Sequence, residues 1–196
     1  GLARGDGSWT QTRLLLTGVI VAAGCGAAVA LILSIAPENK LRGMLFWLMG
    51  DLGYAGMPWP ALGAVALAAP ACIALSRPLD VLARGDVQAS IVGLPVKPLR
   101  TGVYVGASLL TAVAVTTAGS IGFVGLVTPH LVRLALGSSH RVVVPASVLA
   151  GGILVTLADV VARTAVAPRQ LPVGALTALV GVPLFLMLMR RQRRVG

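Results

Sequence analysis

Charged residues are scarce in this 196-residue sequence: they make up 11% of it, whereas soluble domains contain about 25%. Only six residues are acidic, and the 16 Lys and Arg residues leave a net charge of +10. Because 57% of the residues are hydrophobic, so few charges cannot cover the surface of a water-soluble fold. The composition therefore predicts a membrane protein.

Several chemical signatures are also missing. There is no G-x-x-x-x-G-K-[ST] loop to bind ATP phosphates, and no His, Cys, Asp or Glu cluster has metal-ligand spacing. No paired carboxylates or nucleophile turn is present. The two cysteines, Cys25 and Cys72, lie inside apolar runs. These absences predict a protein that is not an enzyme and that carries no cofactor or metal.

Six apolar runs recur along the chain, and runs of this length indicate membrane-spanning helices. They cover residues 14–36, 60–76, 101–118, 121–136, 142–162 and 173–189. The sequence thus predicts an all-α, polytopic helical bundle with about six transmembrane helices.

Basic residues are divided unequally between the two sets of loops, and positive loops favour the cytoplasmic side. One set holds Arg4, Arg13, Arg77, Arg84, Lys97, Arg100, Arg133, Arg141, Arg190, Arg191, Arg193 and Arg194. The other holds only Lys40, Arg42, Arg163 and Arg169. An even number of spans then places both termini in the cytoplasm. The terminal RRQRR is interpreted as a lipid-headgroup anchor, so the basic charge predicts a membrane-lipid partner and no nucleic acid.

Asp159 is the one acidic residue set well inside an apolar run. Arg163 follows it at a spacing of four, which places both side chains on one helical face and predicts an ion pair. An ion-coupled carrier usually needs more acids within the membrane than this sequence provides.

Several segments together resemble the FecCD family, the permease subunits of ABC importers for ferric siderophores, haem and vitamin B12. The central one is 119-GSIGFVGLVTPHLVR-133, and the others are 13-RLLLTGV-19, 47-WLMGDL-52, 76-SRPLDVLARGDVQASIVGLP-95, 137-GSSHRVVVPAS-147, 158-ADVVAR-163 and 171-LPVGALTALVGVPLFL-186.

The resemblance implies a ten-helix fold, of which this chain looks like the last six helices. Residues 1–196 are then expected to form a single transmembrane permease domain that lacks the N-terminal helices, consistent with a chain that begins at Gly1 rather than Met. The implied function is transport across the inner membrane, driven by ATP hydrolysis in a partner ATPase. An iron complex, either a siderophore or haem, is the first expectation for the substrate, and cobalamin is the second.

Within that resemblance, residues 77–100 correspond to the cytoplasmic segment that couples the permease to its ATPase. The matching positions are Gly85, Asp86, Ala89, Gly93 and Pro95. A glycine permits the bend of such a segment, and small residues permit close docking.

Other positions are assigned by the same resemblance. Arg163 and Arg169 are expected to contact a periplasmic or lipid-anchored substrate-binding protein on the outer side. Gly18, Gly24 and Gly26 are expected on a helix that lines the pathway between two permease copies.

The stretch with Gly122, Pro129, His130 and Arg133 is expected to be structural. Pro129 removes one backbone hydrogen bond from its helix, and His130 is expected to be a hydrogen-bonding group at a helix end. Two alternatives to an importer permease stay open: an ion-coupled secondary carrier and a permease remnant that does not transport.

Overall fold

The computed structural model describes residues 11–54, 56 and 59–192, and this part of the chain is entirely helices and their connections. The helices are α1 (Gln11–Ser34), α2 (Glu38–Leu48), α3 (Trp59–Leu82), α4 (Asp86–Ile91), α5 (Val96–Ala118), α6 (Val124–Leu136), α7 (His140–Thr164) and α8 (Val173–Gln192). A short 3-10 turn covers Leu52–Tyr54. The prediction of an all-α protein is confirmed, and each of the six apolar runs lies on a helix.

Four of the described helices, α1, α3, α5 and α7, are long and apolar enough to cross a membrane, with apolar spans of 23 to 25 residues. The other two runs form shorter apolar helices. At 1.5 Å per residue the 13-residue α6 is about 20 Å long, less than the roughly 30 Å of a hydrocarbon core. The second, α8, is apolar over Val173–Leu188. The run at 121–136 yields a short helix because Gly119 and Phe123 have positive φ values and delay its start until Val124.

Helices reach further into the polar segment 77–100 than the apolar runs indicate. Although the run ends at residue 76, α3 continues through Pro78 to Leu82. At the other end, α5 begins at Val96, so Pro98 occupies its first turn. Proline is tolerated there because the first backbone N–H groups of a helix have no partner within it.

The chain forms two compact units, Gly1–Leu45 and Phe46–Gly196. The described part of the first holds α1 and most of α2. In the second, α7 packs against α3, α6 and α8, while α3 also packs against α5 and α4. The side chains buried among these helices are few and mostly small, such as Val127, Val132, Val143 and Ala162. Many large apolar side chains point outward instead, which fits surfaces that meet lipid or another protein.

Backbone segments meet closely at one end of the second unit, where α5 ends and α8 begins. The Gly174 N–H donates to the Gly50 carbonyl oxygen at 3.1 Å, and the Asp51 N–H donates to the Ala118 carbonyl oxygen at 3.1 Å. These bonds tie the loop after α2 to both helix ends. They also carry Asp51 into the interior, where it is 1% exposed.

Glycine is required at this junction because a side chain would collide with backbone. A Cβ atom on Gly119 would overlap the Trp47 carbonyl oxygen, and one on Gly174 would overlap the Met49 carbonyl oxygen. Gly119 also has a φ of 72°, a conformation that residues with a Cβ rarely adopt. The junction therefore depends on backbone contacts that no other residue type permits.

We expect Gly174→Ala to lower the free energy of unfolding by about 1–3 kcal/mol, since the added methyl group must displace the backbone at Met49. Gly102→Ala is the matched control. A Cβ at that position in α5 meets no atom within 4 Å, so alanine should be neutral or stabilise the helix by about 0.5–1 kcal/mol. Thermal or denaturant unfolding of the purified protein in detergent measures both, and equal effects would contradict the close contact.

Candidate functional site

The connection between α3 and α5 folds into a defined turn around the short helix α4. Gly85 precedes α4 with a φ of 122°, and Gly93 follows it with a φ of 82°. The Gly93 N–H donates to the Ser90 carbonyl and the Leu94 N–H to the Ala89 carbonyl, each at 3.0 Å. This pair of bonds around a left-handed glycine is a Schellman closure of the helix. The expected bend at Gly93 is therefore present.

Polar contacts fix the orientation of α4. The Asp86 carboxylate accepts a hydrogen bond from Arg100 in α5 at 2.6 Å, although both side chains are about half exposed. Pro95 immediately precedes α5. Ala89 is 0% exposed, so its methyl group faces inward, and its role in coupling stays a prediction.

Three apolar side chains of this polar connection point away from the protein. Val87 is 73% exposed, Ile91 79% and Val92 71%. Val87 and Ile91 are four residues apart and share one face of α4. An apolar patch on a polar turn is unusual unless another protein covers it. The sequence motif did not single out these three residues.

Asp80, near the end of α3, is bonded to the start of α7. Its Oδ1 atom accepts the His140 backbone N–H at 2.8 Å and lies 2.6 Å from His140 Nδ1, while its Oδ2 atom accepts the Ser139 hydroxyl at 3.2 Å. A carboxylate at a helix N-terminus also interacts favourably with the helix dipole. Sequence reasoning missed this cluster, since 60 residues separate its two sides; the signal in the sequence is the serine just before an apolar run, which marks a helix start.

The expected structural motif is distributed along α6. Gly122 lies just before the helix, Pro129 lies inside it, and Arg133 is exposed in its last turn. His130 occupies the middle of α6 and makes no hydrogen bond with any described residue, so the expectation of a hydrogen-bonding histidine at a helix end is wrong for His130. His140, for which no role was predicted, does lie at a helix terminus and bonds a carboxylate there.

The predicted ion pair at the other end of α7 is confirmed. Arg163 Nε donates to Asp159 Oδ2 at 2.8 Å, with the Asp159 side chain 20% exposed and the Arg163 side chain 44% exposed. Asp159 Oδ1 is buried and receives no hydrogen bond from a described residue. Arg169 is exposed in the connection to α8, so the two arginines expected to meet a binding protein lie near one end of the unit.

Asp51 belongs to the same end. Its Oδ1 atom accepts the Gly53 N–H at 2.7 Å, while Oδ2 is buried without a hydrogen bond from any described residue. A Cβ on Gly53 would lie 3.1 Å from Asp51 Oδ1 and 3.6 Å from the side-chain amide of Gln170, in the connection that follows α7. Asp51 and the Asp159–Arg163 pair are called the outer ionic cluster, after the side of the membrane that the basic loops predict for this end of the unit. Sequence reasoning did not anticipate Asp51, which lies in a loop that shows no sign of burial.

The glycines expected to line a pathway lie on α1. All three, Gly18, Gly24 and Gly26, are exposed. At about 100° per residue Gly18 and Gly26 are about 80° apart, whereas Gly24 lies on the other side of the helix. A single pathway along one face of α1 can therefore be lined by Gly18 and Gly26 or by Gly24, but not by all three.

No group of three or more His, Cys, Asp or Glu side chains that could hold a metal is found among the residues that the structure describes. The polar contacts described above are concentrated in three places instead: α4 with its turns, the Asp80–His140 cluster and the outer ionic cluster.

An all-helical array with four apolar spans and polar ends defines a multi-pass α-helical membrane protein. The profile of the FecCD transport family matches residues 1–191. The chain belongs to the FecCD transport family.

Similar proteins include three permeases. The chain is 41% identical over 191 residues to the hemin transport system permease HmuU of Yersinia pestis, covering 95% of this chain and 57% of that protein. It is 38% identical over 188 residues to the vitamin B12 import system permease BtuC of Citrobacter koseri, covering 94% and 56%. It is 37% identical over 196 residues to the ABC transporter permease YvrB of Bacillus subtilis, covering 96% and 54%.

Among solved structures, a metal-chelate type ABC transporter in an inward-facing conformation superposes with a TM-score of 0.84 at 33% identity. The match covers 93% of this chain and 60% of that one. The chain thus spans little more than half the length of the relatives it matches.

We expect Arg163→Gln to lower the melting temperature in detergent by about 2–4 °C, because Asp159 would keep a mostly buried charge without a partner. Adding Asp159→Asn should restore part of the loss. Arg169→Gln is the control, since its side chain is exposed and makes no bond to a described residue. If the single and double variants melt alike, the pair does not compensate the buried carboxylate.

Proposed function

We propose that this chain is part of the permease subunit of a binding-protein-dependent ABC importer in the inner membrane. Its family and its similarity to haem and vitamin B12 permeases support this function. A partner ATPase hydrolyses ATP, a second permease copy completes the pathway, and this chain performs no chemistry on the substrate. Residues 1–196 act as one permease domain, with both termini in the cytoplasm as the basic loops predict.

The observation that carries the proposal is the exposed apolar face of α4. Residues 77–100 contain Arg77, Arg84, Lys97 and Arg100, and these positive charges support a cytoplasmic position for the segment. Val87, Ile91 and Val92 therefore present apolar surface to the cytoplasm, where leaving it uncovered is unfavourable. A groove on the ATPase is the partner that fits this small helical surface.

The predicted coupling residues then divide by role. Gly85 and Gly93 allow the turns on either side of α4, Pro95 starts α5, and Ala89 packs inward. Asp86 holds α4 against α5 through Arg100. These five residues shape the segment, whereas the exposed side chains of α4 make the contact.

The outer ionic cluster is the proposed docking end for a periplasmic or lipid-anchored binding protein. Arg163 is partly exposed, and Arg169 is exposed in the connection between α7 and α8. Acidic side chains on the partner would complement both arginines and guide association. The substrate is an iron complex, a siderophore or haem, with cobalamin as the second candidate; the named functions of the relatives support both classes.

The first test is co-purification with the ATPase encoded beside the gene, using the complete gene product in detergent. Ile91→Asp should reduce ATPase retention by at least about tenfold, because a charge would have to be buried in the contact. Ile91→Leu is the matched control and should retain the ATPase, since it keeps the apolar volume. Gly93 is a poorer test position, because its φ of 82° would strain any side chain whether or not docking occurs.

If wild type and Ile91→Leu retain the ATPase and Ile91→Asp loses it, the result supports both the importer function and the α4 contact. If wild type retains no ATPase, the proposed function fails. Uptake that follows a proton or sodium gradient would then favour an ion-coupled carrier. Equal retention by all three proteins would place the ATPase contact elsewhere.

A further inference from the structure

α7 obtains its N-terminal cap from a different helix. The first backbone N–H groups of a helix have no partner within it, and a serine at the preceding position usually supplies one. Here the Ser139 hydroxyl makes no bond to the α7 backbone. It donates to Asp80 instead, and Asp80 also accepts a hydrogen bond from the His140 backbone N–H. The start of α7 is therefore completed by a carboxylate of α3.

This contact is directional, unlike the rest of the packing between the two helices. Elsewhere α3 and α7 face a cavity of about 580 Å³, shared with α5 and lined by small apolar side chains such as Ala64, Ala68, Val144 and Val148. Contacts of that kind are non-directional, so they fix the relative position of two helices less specifically than hydrogen bonds do. Among the described residues, the hydrogen bonds between α3 and the start of α7 all converge on Asp80.

Asp80 is also connected to α4 by a continuous series of turns. The Ala83 N–H donates to the Leu79 carbonyl at 2.9 Å, and the Gly85 N–H donates to the Leu82 carbonyl at 3.1 Å. The chain between α3 and α4 thus has no unbonded stretch that would absorb a displacement. A movement imposed on α4 is carried into the last turn of α3, where Asp80 lies.

The far end of α7 carries the outer ionic cluster. With 25 residues α7 is about 37 Å long, enough to connect the two sides of a membrane. A displacement of its N-terminus therefore reaches Asp159 and Arg163 through one continuous helix.

We propose that Asp80 is a positioning residue that couples α4 to α7 through its bonds to Ser139 and His140, so that ATPase movement at one end changes the docking surface at the other. This inference rests on the proposed function. Coupling of this kind is reciprocal for binding, so a binding protein at the outer end would also change the affinity of the ATPase end.

The test compares stimulated with basal ATP hydrolysis in the assembled transporter, reconstituted in liposomes from the complete permease, its ATPase and its binding protein. Haem-loaded binding protein is the stimulus, with cobalamin-loaded protein assayed in parallel. Asp80→Ala should lower the ratio of stimulated to basal rate by at least about fivefold while the ATPase still co-purifies, because the exposed face of α4 is unchanged.

Five further variants separate coupling from folding. His140→Ala should also lower the ratio, and Asp80→Ala with His140→Ala should cost little more than Asp80→Ala, since both remove one cluster. Asp80→Asn keeps an acceptor oxygen and should lie between wild type and Asp80→Ala. Ser139→Ala removes the bond to Asp80 Oδ2 and should also lower the ratio. Ser138→Ala is its matched control, because Ser138 is exposed and makes no hydrogen bond to a described residue.

An unchanged ratio in the Asp80 and His140 variants, with the ATPase retained, would overturn this inference and leave the importer function intact. So would a ratio that falls only in proportion to the melting temperature across all variants, since that pattern indicates a structural role alone. If wild type retains no ATPase, the proposed function itself fails.

Discussion

A carboxylate of another helix fixes the N-terminus of α7, and the arrangement of the second unit depends on α7. Asp80 binds that N-terminus from α3, whereas Asp159 pairs with Arg163 inside α7 itself. Because α7 also packs against α3, α6 and α8, fixing its N-terminus helps to position the helices around it. In a chain with only six acidic residues, a large share of the negative charge serves this one element.

The junction of Gly50, Gly119 and Gly174 follows from a different constraint. Backbone N–H and carbonyl groups in apolar surroundings must be bonded within the protein. The loop after α2, the turn after α5 and the first turn of α8 meet there, and their backbones approach more closely than a Cβ atom would allow. Asp51 is drawn into the interior as a consequence, since its own backbone N–H is one of the bonded groups.

The sequence predicts the helices well because apolar runs and helical periodicity are local properties. The Asp159–Arg163 pair was predictable for the same reason, as a spacing of four defines one face.

The Asp80–His140 cluster was not predictable, since nothing local identifies a partner 60 residues away. The burial of Asp51 was not predictable either. Nothing in its short loop indicates that close backbone contacts at glycines elsewhere in the chain will bury it. Helical periodicity does place Gly24 opposite Gly18 and Gly26, and it puts Val87 and Ile91 together on α4. The exposure of those two side chains, however, depends on Ala89 packing inward, which the sequence does not show.

The two ends of α7 differ in how completely their carboxylates are satisfied. Asp80 accepts hydrogen bonds at both oxygens, from two groups of His140 and from Ser139. At the outer end, Asp159 Oδ1 and Asp51 Oδ2 are buried without a donor among the described residues, and Arg163 holds Asp159 through Nε. A satisfied carboxylate resists rearrangement because moving it breaks several bonds at once, whereas spare acceptors beside a partly exposed arginine permit more than one pairing. The N-terminal end of α7 is therefore the fixed end of the helix, whereas the ion pair near its C-terminal end can be rearranged.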